Sequence, residues 1–337
     1  MPAVSVILPF RNAEATLRDA IGSISAQTLS DWELICFDDG STDTSGAIAR
    51  EYAAEDARIR VIGPERVGIV AALARACAEA AGTFLARMDA DDIAHRDRLA
   101  RQIALMQSDD GLVLCGALVR ATGDELGEGG QRYYDWLNQL VSHDEIVREL
   151  FIECPVAHPT FFMRRDAYRD VGGYQDHGWA EDYDLMFRFW QAGGRFAKVP
   201  EVLLGWRHSA GRMSLTDPRY SLEQFRRLKR HYLEATVLCG FAQGAERRQL
   251  VQWGAGEVGK RWLREWGAVR PRAVIDIHPR KIGTRIHRVP VLGPDDLPAP
   301  SESFILVAVG APGARDEIRS WLSEHGHVEL RDYIFIA

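Results

Sequence analysis

The sequence has few cysteines, no long apolar run and no excess of basic residues. Its five cysteines lie among 337 residues without a CxxC pair, which excludes a disulfide scaffold and a cysteine-rich zinc site. No segment approaches the roughly 20 apolar residues that cross a bilayer, and the first ten residues lack the basic start of a signal peptide. We therefore expect a reduced, cytoplasmic protein whose membrane contact, if any, is peripheral at the inner face.

The charge balance is acidic. Lys and Arg number 41 and Asp and Glu number 48, which gives a formal net charge of −7. Such a chain is a poor general binder of polyanions, so we expect no nucleic-acid partner. Binding of a nucleotide would need a local source of positive charge, such as a metal ion or a few well-placed arginines. The length predicts about two domains.

The first hundred residues alternate strand and helix patterns. Strands are predicted at 4–8, 33–37, 59–62 and 83–88, with helices between them. This order predicts an α/β fold with a mostly parallel sheet, in which ligands bind at the carboxyl ends of the strands. Further along, the pattern predicts one helix over 133–151.

The βα pattern restarts near residue 249. We therefore predict a first domain over 1–235, including a linker helix at 219–235, and a smaller α/β domain over 246–337. The basic residues at 226–230 fit either an anionic membrane surface or a packed linker.

A glycine turn opens the second domain. Gly254, Gly256 and Gly259 follow a strand and precede a helix, and Asp276 lies where an acid binds ribose in dinucleotide sites. One interpretation is a second nucleotide site. The other is a fold-shaping turn in a domain with a structural or assembly role, through which the chain would form a homo-oligomer.

Two acidic clusters fall at predicted strand ends. Asp89 and Asp91 are two residues apart and can face one side, which suits Mg²⁺ or Mn²⁺; the alternative is a solvated helix cap. Such a cation would assist departure of a nucleoside diphosphate. Asp38 and Asp39 end another strand, where they can accept hydrogen bonds from a base or ribose or serve as a turn and cap.

Two more residues are candidates. Asp182 opens a predicted apolar helix, where its ionised form is stabilised, so it can act as a general base or as a plain helix-start acid. His208 follows a strand and can contact a metal or a phosphate, or be an ordinary surface histidine.

Several motifs, taken in order, resemble family 2 glycosyltransferases over about residues 1–215. They are Val4–Glu14, Phe37–Asp43, Ala86–Asp92, His158–Thr160, Gly172–Tyr174 and Glu181–Leu185. The resemblance implies a GT-A fold, a nucleotide-sugar donor, an inverting mechanism and Mn²⁺ or Mg²⁺ as cofactor. The segment from residue 246 resembles the Rossmann-like domains appended to some bacterial sugar-modifying enzymes.

The resemblance also implies roles for single residues. Asp39 would contact the base, and Asp182 would deprotonate the acceptor. Asp91 would be the principal metal ligand, and Asp89 would contact the donor sugar or ribose. The remaining donor-site and metal-side candidates are Pro9, Arg11, Glu14, Asp38, Arg87 and His208.

These expectations lead to a functional hypothesis. The chain lacks a QxxRW-like motif, so a single-addition transferase in glycan or surface-polysaccharide assembly is favoured over a polymer synthase. The donor would be a UDP-sugar and the acceptor a glycan or a lipid-linked hydroxyl. The alternatives are an NAD-linked sugar-modifying oxidoreductase and a non-catalytic nucleotide-sugar-binding scaffold. Tyr133, Tyr134 and Trp136 can stack on acceptor sugars or belong to the core.

Overall fold

The computed structural model describes residues 1–209, 211–267, 269–311 and 313–337. The chain forms two compact units. The first contains Met1–Ile146 and Cys154–Phe225, and the second contains Val147–Glu153 and Arg226–Ala337. The division expected between 235 and 246 stays a prediction, although the basic part of the linker helix lies in the second unit.

The first unit is built on one sheet. Its strands are β1 (Val4–Phe10), β2 (Trp32–Asp38), β3 (Ile59–Ile62), β4 (Phe84–Arg87), β5 (Ile93–Ala94), β6 (Leu112–Gly123), β7 (Phe162–Arg164) and β8 (Arg195–His208). They lie in the order β3-β2-β1-β4-β7-β6-β8-β5. Strands β3, β2, β1 and β4 run parallel to one another, and β7 runs antiparallel to both β4 and β6.

Helices flank this sheet. They are α1 (Leu17–Ser25), α2 (Ser45–Glu55), α3 (Ile69–Ala78), α4 (Arg98–Ser108), α5 (Glu128–Gln139), α6 (His143–Glu149, whose last three residues belong to the second unit), α7 (Arg165–Asp170), α8 (Glu181–Gln191) and α9 (Met213–Thr216). All seven residues of β1 are buried, as expected for a parallel strand covered on both faces. Helix α1 buries Leu17, Ala20, Ile21 and Ile24, the spacing of one helical face.

The second unit has its own sheet and core. Its helices are α10 (Leu222–Ala235, most of which lies in this unit), α11 (Cys239–Ala242), α12 (Glu257–Glu265) and α13 (Ala314–Glu324). Its strands are β9 (Gln249–Trp253), β10 (Ala273–Ile275), β11 (Arg285–Ile286), β12 (Val289–Leu292), β13 (Ser303–Val307) and β14 (Tyr333–Phe335). The order β11-β12-β10-β9-β13-β14, parallel from β12 to β14, is the Rossmann arrangement.

The single helix expected over 133–151 is wrong, because the chain forms α5 and α6 with a break between them. Leu140 ends α5 in an extended conformation. Ser142 and Glu145 then form a reciprocal cap, in which the Glu145 carboxylate accepts from the Ser142 N–H at 2.8 Å. This capping box starts a new helix and so favours the break.

The basic helix α10 is engaged within the second unit. Arg226 donates to the Glu265 carboxylate at 3.0 Å, and Arg230 donates to the Glu265 carbonyl. Lys229 is buried and donates to the carbonyls of Ile152 and Ile336. Much of the positive charge is therefore used inside the unit, and contact with an anionic membrane stays a prediction. Across the described residues, we find no helix of the length and apolarity needed to span a bilayer.

Candidate active site

The acidic clusters lie at neighbouring strand ends. Strand β1 pairs in parallel with β2, in register from Val4 opposite Trp32 to Phe10 opposite Asp38. On its other side β1 pairs with β4, with Ile7 opposite Arg87. The carboxyl ends of β2, β1 and β4 therefore meet at one edge of the sheet, as the sequence predicted.

Asp38 and Asp39 organise the loops at the end of β2. Oδ1 of Asp38 accepts from the Ser41 N–H at 2.8 Å. Oδ1 of Asp39 accepts from the N–H groups of Val67 and Gly68 at 2.6 and 3.0 Å. Asp39 thus fixes the loop after β3 with one oxygen, and the hydrogen bonds described for its side chain leave Oδ2 available for a ligand.

The other predicted nucleoside contacts follow or lie in β1. Pro9 is buried in the strand, whereas Arg11 is exposed just beyond it. Oε2 of Glu14 accepts from both the hydroxyl and the N–H of Thr44, at 2.8 and 3.1 Å. Glu14 therefore joins the loops that follow β1 and β2, and its contact with a nucleoside stays a prediction.

Three aspartates converge after β4. One carboxylate oxygen from each of Asp89, Asp91 and Asp92 lies within 4.8 Å of the others. Burial, and then the charge of Asp89, raises the pKa of Asp91. The pKa of Asp92 is raised further by burial and by both neighbouring carboxylates.

This cluster fits a divalent cation. Oδ2 of Asp92 is buried and makes no hydrogen bond to any residue that the structure describes. Burying several carboxylates together is costly unless a positive charge compensates them. All-oxygen donors suit Mg²⁺ or Mn²⁺. Asp89, Asp91 and Asp92 are therefore the residues that would hold such an ion, and sequence reasoning missed Asp92.

Arg87 links this cluster to the other half of the site. Its guanidinium is buried, donates to Oδ1 of Asp89 at 2.5 Å and also bonds the Met88 carbonyl. Burial alone would lower the pKa of Arg87, but the charges of Asp89 and Glu181 raise it. The guanidinium therefore stays positively charged close to carboxylates from two separate elements.

Further arginines lie around the aspartates. Arg207 donates its backbone N–H to Asp92 at 2.7 Å and its Nε to the Asp91 carbonyl at 3.0 Å. The guanidinium carbon of Arg212 lies 4.4 Å from the Trp206 ring centroid, and its charge offsets only part of the rise in the pKa of Asp91 and Asp92 that burial causes. Arg212 was not predicted, because only the loop after β8 brings it near residues 120 positions earlier.

His208 ends β8, opposite Gly123 of β6, and is partly exposed. It follows Arg207 directly in the chain. Among the described residues, the cluster of possible metal ligands consists of Asp89, Asp91 and Asp92 and does not include His208. Its role toward a metal or a phosphate stays a prediction.

The predicted base lies in the first turn of α8. Asp182 is partly exposed and accepts the Tyr183 N–H at 2.7 Å. The preceding Glu181 is buried, and the Tyr220 hydroxyl lies 2.9 Å from both of its carboxylate oxygens and donates to them. Burial raises the pKa of Glu181. The two carboxylates thus have different environments, and the more accessible one belongs to Asp182.

A glycine pair forms the turn before Tyr174, whose partner His158 has Nδ1 3.8 Å from the Glu181 carboxylate. Gly172 and Gly173 have φ of +83° and +64°, and a Cβ on Gly173 would lie 2.8 Å from the Tyr168 ring. This turn directs the Tyr174 hydroxyl to Nε2 of His158 at 2.7 Å. Burial and the charge of Arg87 lower the pKa of His158, so the ring is neutral.

The aromatic residues of α5 belong to the core. Tyr134 is buried, and its ring centroid lies 5.4 Å from that of Trp206. Tyr133 packs against Trp136 with centroids 5.8 Å apart. These contacts support the core interpretation over stacking on an acceptor sugar.

The glycine turn of the second unit is held together by Asp276. Oδ2 of Asp276 accepts from the Ala255 N–H and from Lys281, and Oδ1 accepts from the His278 N–H. A Cβ on Gly259 would lie 1.9 Å from the Gly254 carbonyl oxygen. Both Asp276 oxygens and Gly259 therefore serve the turn itself, and a nucleotide site there stays a prediction.

Comparisons with known proteins agree with this geometry. The family model described as "Glycosyl transferase family 2" matches residues 5–172. The chain is 33% identical over 227 residues to EpsE of Bacillus subtilis, whose name assigns it to the glycosyltransferases, covering 66% of this chain and 79% of that protein. It is 30% identical over 204 residues to the amylovoran biosynthesis glycosyltransferase AmsE of Erwinia amylovora, covering 59% and 74%.

Solved structures show the same fold. TarS of S. aureus in complex with UDP-GlcNAc has a TM-score of 0.55 at 17% identity, covering 71% of this chain and 67% of that chain. The mannosyltransferase PcManGT of Pyrobaculum calidifontis, in complex with GDP-Man and Mn²⁺, has a TM-score of 0.50 at 18% identity, covering 72% and 79%. The expected fold class, a GT-A domain followed by a smaller Rossmann-like α/β domain, is confirmed.

Proposed function

The chain belongs to glycosyl transferase family 2, and we propose that it moves one sugar from a nucleotide-diphosphate donor to an acceptor hydroxyl with inversion. The observation that carries this proposal is the arrangement of acidic residues around Arg87. The guanidinium donates to Asp89 of the carboxylate group suited to a cation, and the charge of Glu181, which precedes Asp182 in the first turn of α8, raises the pKa of Arg87. A donor diphosphate and an acceptor hydroxyl need these two environments next to each other.

The donor side is assigned as follows. The free oxygen of Asp39 contacts the base in a pocket that includes Pro9, Arg11, Glu14 and Asp38. Asp91, with Asp89 and Asp92, holds Mn²⁺ or Mg²⁺, and His208 faces the diphosphate. TarS with UDP-GlcNAc and PcManGT with GDP-Man and Mn²⁺ support a nucleotide-sugar donor and a divalent cation. We favour a UDP-sugar.

The chemical step requires one base. Asp182 takes the proton of the acceptor hydroxyl, whose oxygen forms a bond to the anomeric carbon. The bond from that carbon to the diphosphate oxygen breaks, and the nucleoside diphosphate leaves with the electron pair. A bound divalent cation supplies positive charge that stabilises the leaving diphosphate. Arg87 and Arg212 supply further positive charge near the leaving diphosphate.

The biological setting follows from the relatives. AmsE is named for amylovoran biosynthesis, which supports a role in surface-polysaccharide assembly with a glycan or lipid-linked acceptor. The five cysteines are free, which supports a reduced, cytoplasmic location. An NAD-linked oxidoreductase is not favoured, since Asp276 uses both of its oxygens within the second unit.

The test is nucleoside diphosphate release from a panel of UDP-, GDP- and dTDP-sugars, with Mn²⁺ or with EDTA. We expect release from one donor class that EDTA abolishes. Asp182→Asn should bind that donor and lose about 10²–10⁴-fold in turnover, the usual contribution of a general base. Asp19→Asn, an exposed change on α1, is the control. Wild-type turnover by Asp182→Asn would contradict the assignment, and the absence of release from every donor would leave the scaffold alternative.

A further inference from the structure

The guanidinium of Arg212 is held against an indole ring. Trp206 is buried in β8, and the guanidinium carbon of Arg212 lies 4.4 Å from the centroid of its ring, where the electron-rich face attracts a cation. Arg207, the next residue, donates its backbone N–H to Asp92 at 2.7 Å. The indole therefore belongs to the stretch of β8 that contacts the acidic cluster. Arg212 itself is partly exposed, so its charge is accessible to an anionic ligand.

A buried hydroxyl adjoins this pair. The ring of Tyr134, from α5, packs on the same indole with centroids 5.4 Å apart, and only 5% of the residue is exposed. Its hydroxyl is buried and makes no hydrogen bond within the part of the chain that the structure describes. Burial raises the pKa of Tyr134, the charge of Arg212 lowers it and the charge of Asp92 raises it. The hydroxyl is therefore close to the guanidinium and to one aspartate of the cluster.

The packing of the first unit does not account for this hydroxyl. A buried hydroxyl without a partner costs free energy, and phenylalanine would supply the same ring without that cost. Oδ2 of Asp92 is likewise buried without a hydrogen bond to any described residue. Unpaired buried polar groups are rare in folded proteins and concentrate where a protein binds or reacts. The Tyr134 hydroxyl thus indicates a function next to Arg212.

We propose that Trp206 and Tyr134 are positioning residues that hold the guanidinium of Arg212 toward the diphosphate of the donor. This inference rests on the proposed function for the identity of that ligand. The indole face keeps the cation in place before the donor arrives, so the arginine loses less side-chain entropy on binding. The Tyr134 hydroxyl oxygen can accept from one guanidinium N–H, which fixes the direction of the N–H groups that remain for the diphosphate.

The test compares binding of a nucleoside diphosphate with binding of its monophosphate. Isothermal titration calorimetry with Mn²⁺ measures UDP, GDP and dTDP against UMP, GMP and dTMP on the full chain. We expect the wild type to bind one diphosphate more tightly than the matching monophosphate. Tyr134→Phe should weaken that diphosphate about fivefold, as loss of one hydrogen bond does, and leave the monophosphate unchanged. It should melt no lower than the wild type, because the hydroxyl that it removes has no partner.

Two further comparisons separate positioning from a general effect on the fold. Because Tyr134 acts through Arg212, Tyr134→Phe should change nothing further in an Arg212→Ala background. Trp206→Phe, which keeps an aromatic face, should weaken the diphosphate less than Trp206→Leu. Tyr52→Phe is the matched control. It removes a hydroxyl on α2 that donates to the Arg18 carbonyl at 3.1 Å, and it should bind every nucleotide like the wild type.

Circular dichroism checks that each variant is folded. Wild-type affinity of Tyr134→Phe for the diphosphate would overturn the proposal. So would equal weakening of the diphosphate and the monophosphate, or a further loss in the Arg212→Ala background. Failure of the proposed function is read separately, as the absence of nucleoside diphosphate release from every nucleotide sugar by the wild type.

Discussion

Nη2 of Arg87 lies 2.5 Å from Oδ1 of Asp89, and the same guanidinium is close enough to Glu181 for that charge to raise the pKa of Arg87. One buried cation therefore contacts the strand end that carries the acidic cluster and neighbours the helix that carries the proposed base. The side chain of Arg87 is only 4% exposed. The relationship explains why an arginine occupies a position where the sheet would otherwise bury an apolar residue.

The first prediction concerns this arginine. Arg87→Met removes the buried partner of Asp89 and should lower the free energy of unfolding of the first unit by about 3 kcal/mol. Urea unfolding followed by circular dichroism measures the change. Arg18→Met is the control, because Arg18 and Glu51 form an ion pair that is exposed on both sides, and it should change little. Equal effects of the two substitutions would show that burial of Arg87 is not what matters.

Local patterns could predict much of this fold. The strands at 59–62 and 249–253 occur as expected, because each is a short β-branched or apolar run bounded by turn residues. The glycine turn was also predictable, since Gly259 must lie against the Gly254 carbonyl. These features depend on residues close together in the chain.

Other features depend on distant residues. Strand β8 extends from Arg195 to His208 because β6 and β5 supply its hydrogen-bonding partners. Tyr220 reaches Glu181 from 39 residues away. The break between α5 and α6 was readable in principle from Ser142 and Glu145, which form a capping box. Asp92 and Arg212 became candidates only when the structure placed them beside Asp91.

The second prediction concerns pH. Burial lowers the pKa of Lys229 to about 8, whereas an unfolded lysine has a pKa of about 10.4. Between these values the unfolded state binds more protons, so the free energy of unfolding of the second unit should rise with pH. Below about pH 8 Lys229 is protonated in both states, and the free-energy cost of burying its charge is fully present. Above about pH 10.4 the lysine is neutral in both states, and this cost is absent.

The measurement is the free energy of unfolding of the wild type and of Lys229→Met at pH 7.5, 8.5 and 9.5. The variant loses the hydrogen bonds from Lys229 to the carbonyls of Ile152 and Ile336, which changes its free energy of unfolding by the same amount at each pH. Its slope with pH should be smaller than that of the wild type by up to about 1.4 kcal/mol per pH unit. Parallel slopes would mean that Lys229 is charged in the folded protein throughout this range.

The third prediction separates the roles of two glycines in the second unit. A Cβ at Gly259 would meet the Gly254 carbonyl oxygen, so Gly259→Ala should destabilise the unit markedly. A Cβ at Gly256 meets no atom within 4 Å, and its φ of −79° suits any residue. Gly256→Ala should therefore melt within a few degrees of the wild type.

A larger substitution at Gly256 tests the second nucleotide site. If NAD raises the melting temperature of the wild type but not of Gly256→Trp, the turn binds a ligand. If NAD does not change the melting temperature of the wild type, the glycines have only a structural role. A stable Gly259→Ala protein would contradict the packing explanation.

The measurement that tests the central claim most directly is a thermal-shift comparison of UDP, GDP, dTDP and NAD, each with and without Mn²⁺. A ligand at about 100 times its dissociation constant adds roughly 2.7 kcal/mol to folding stability, which is a visible shift. We predict that one nucleoside diphosphate stabilises the wild type only with Mn²⁺, and that Asp91→Asn loses this response while remaining folded. Stabilisation by NAD alone, independent of Mn²⁺ and unchanged in Asp91→Asn, would contradict a metal-assisted donor site at Asp89, Asp91 and Asp92.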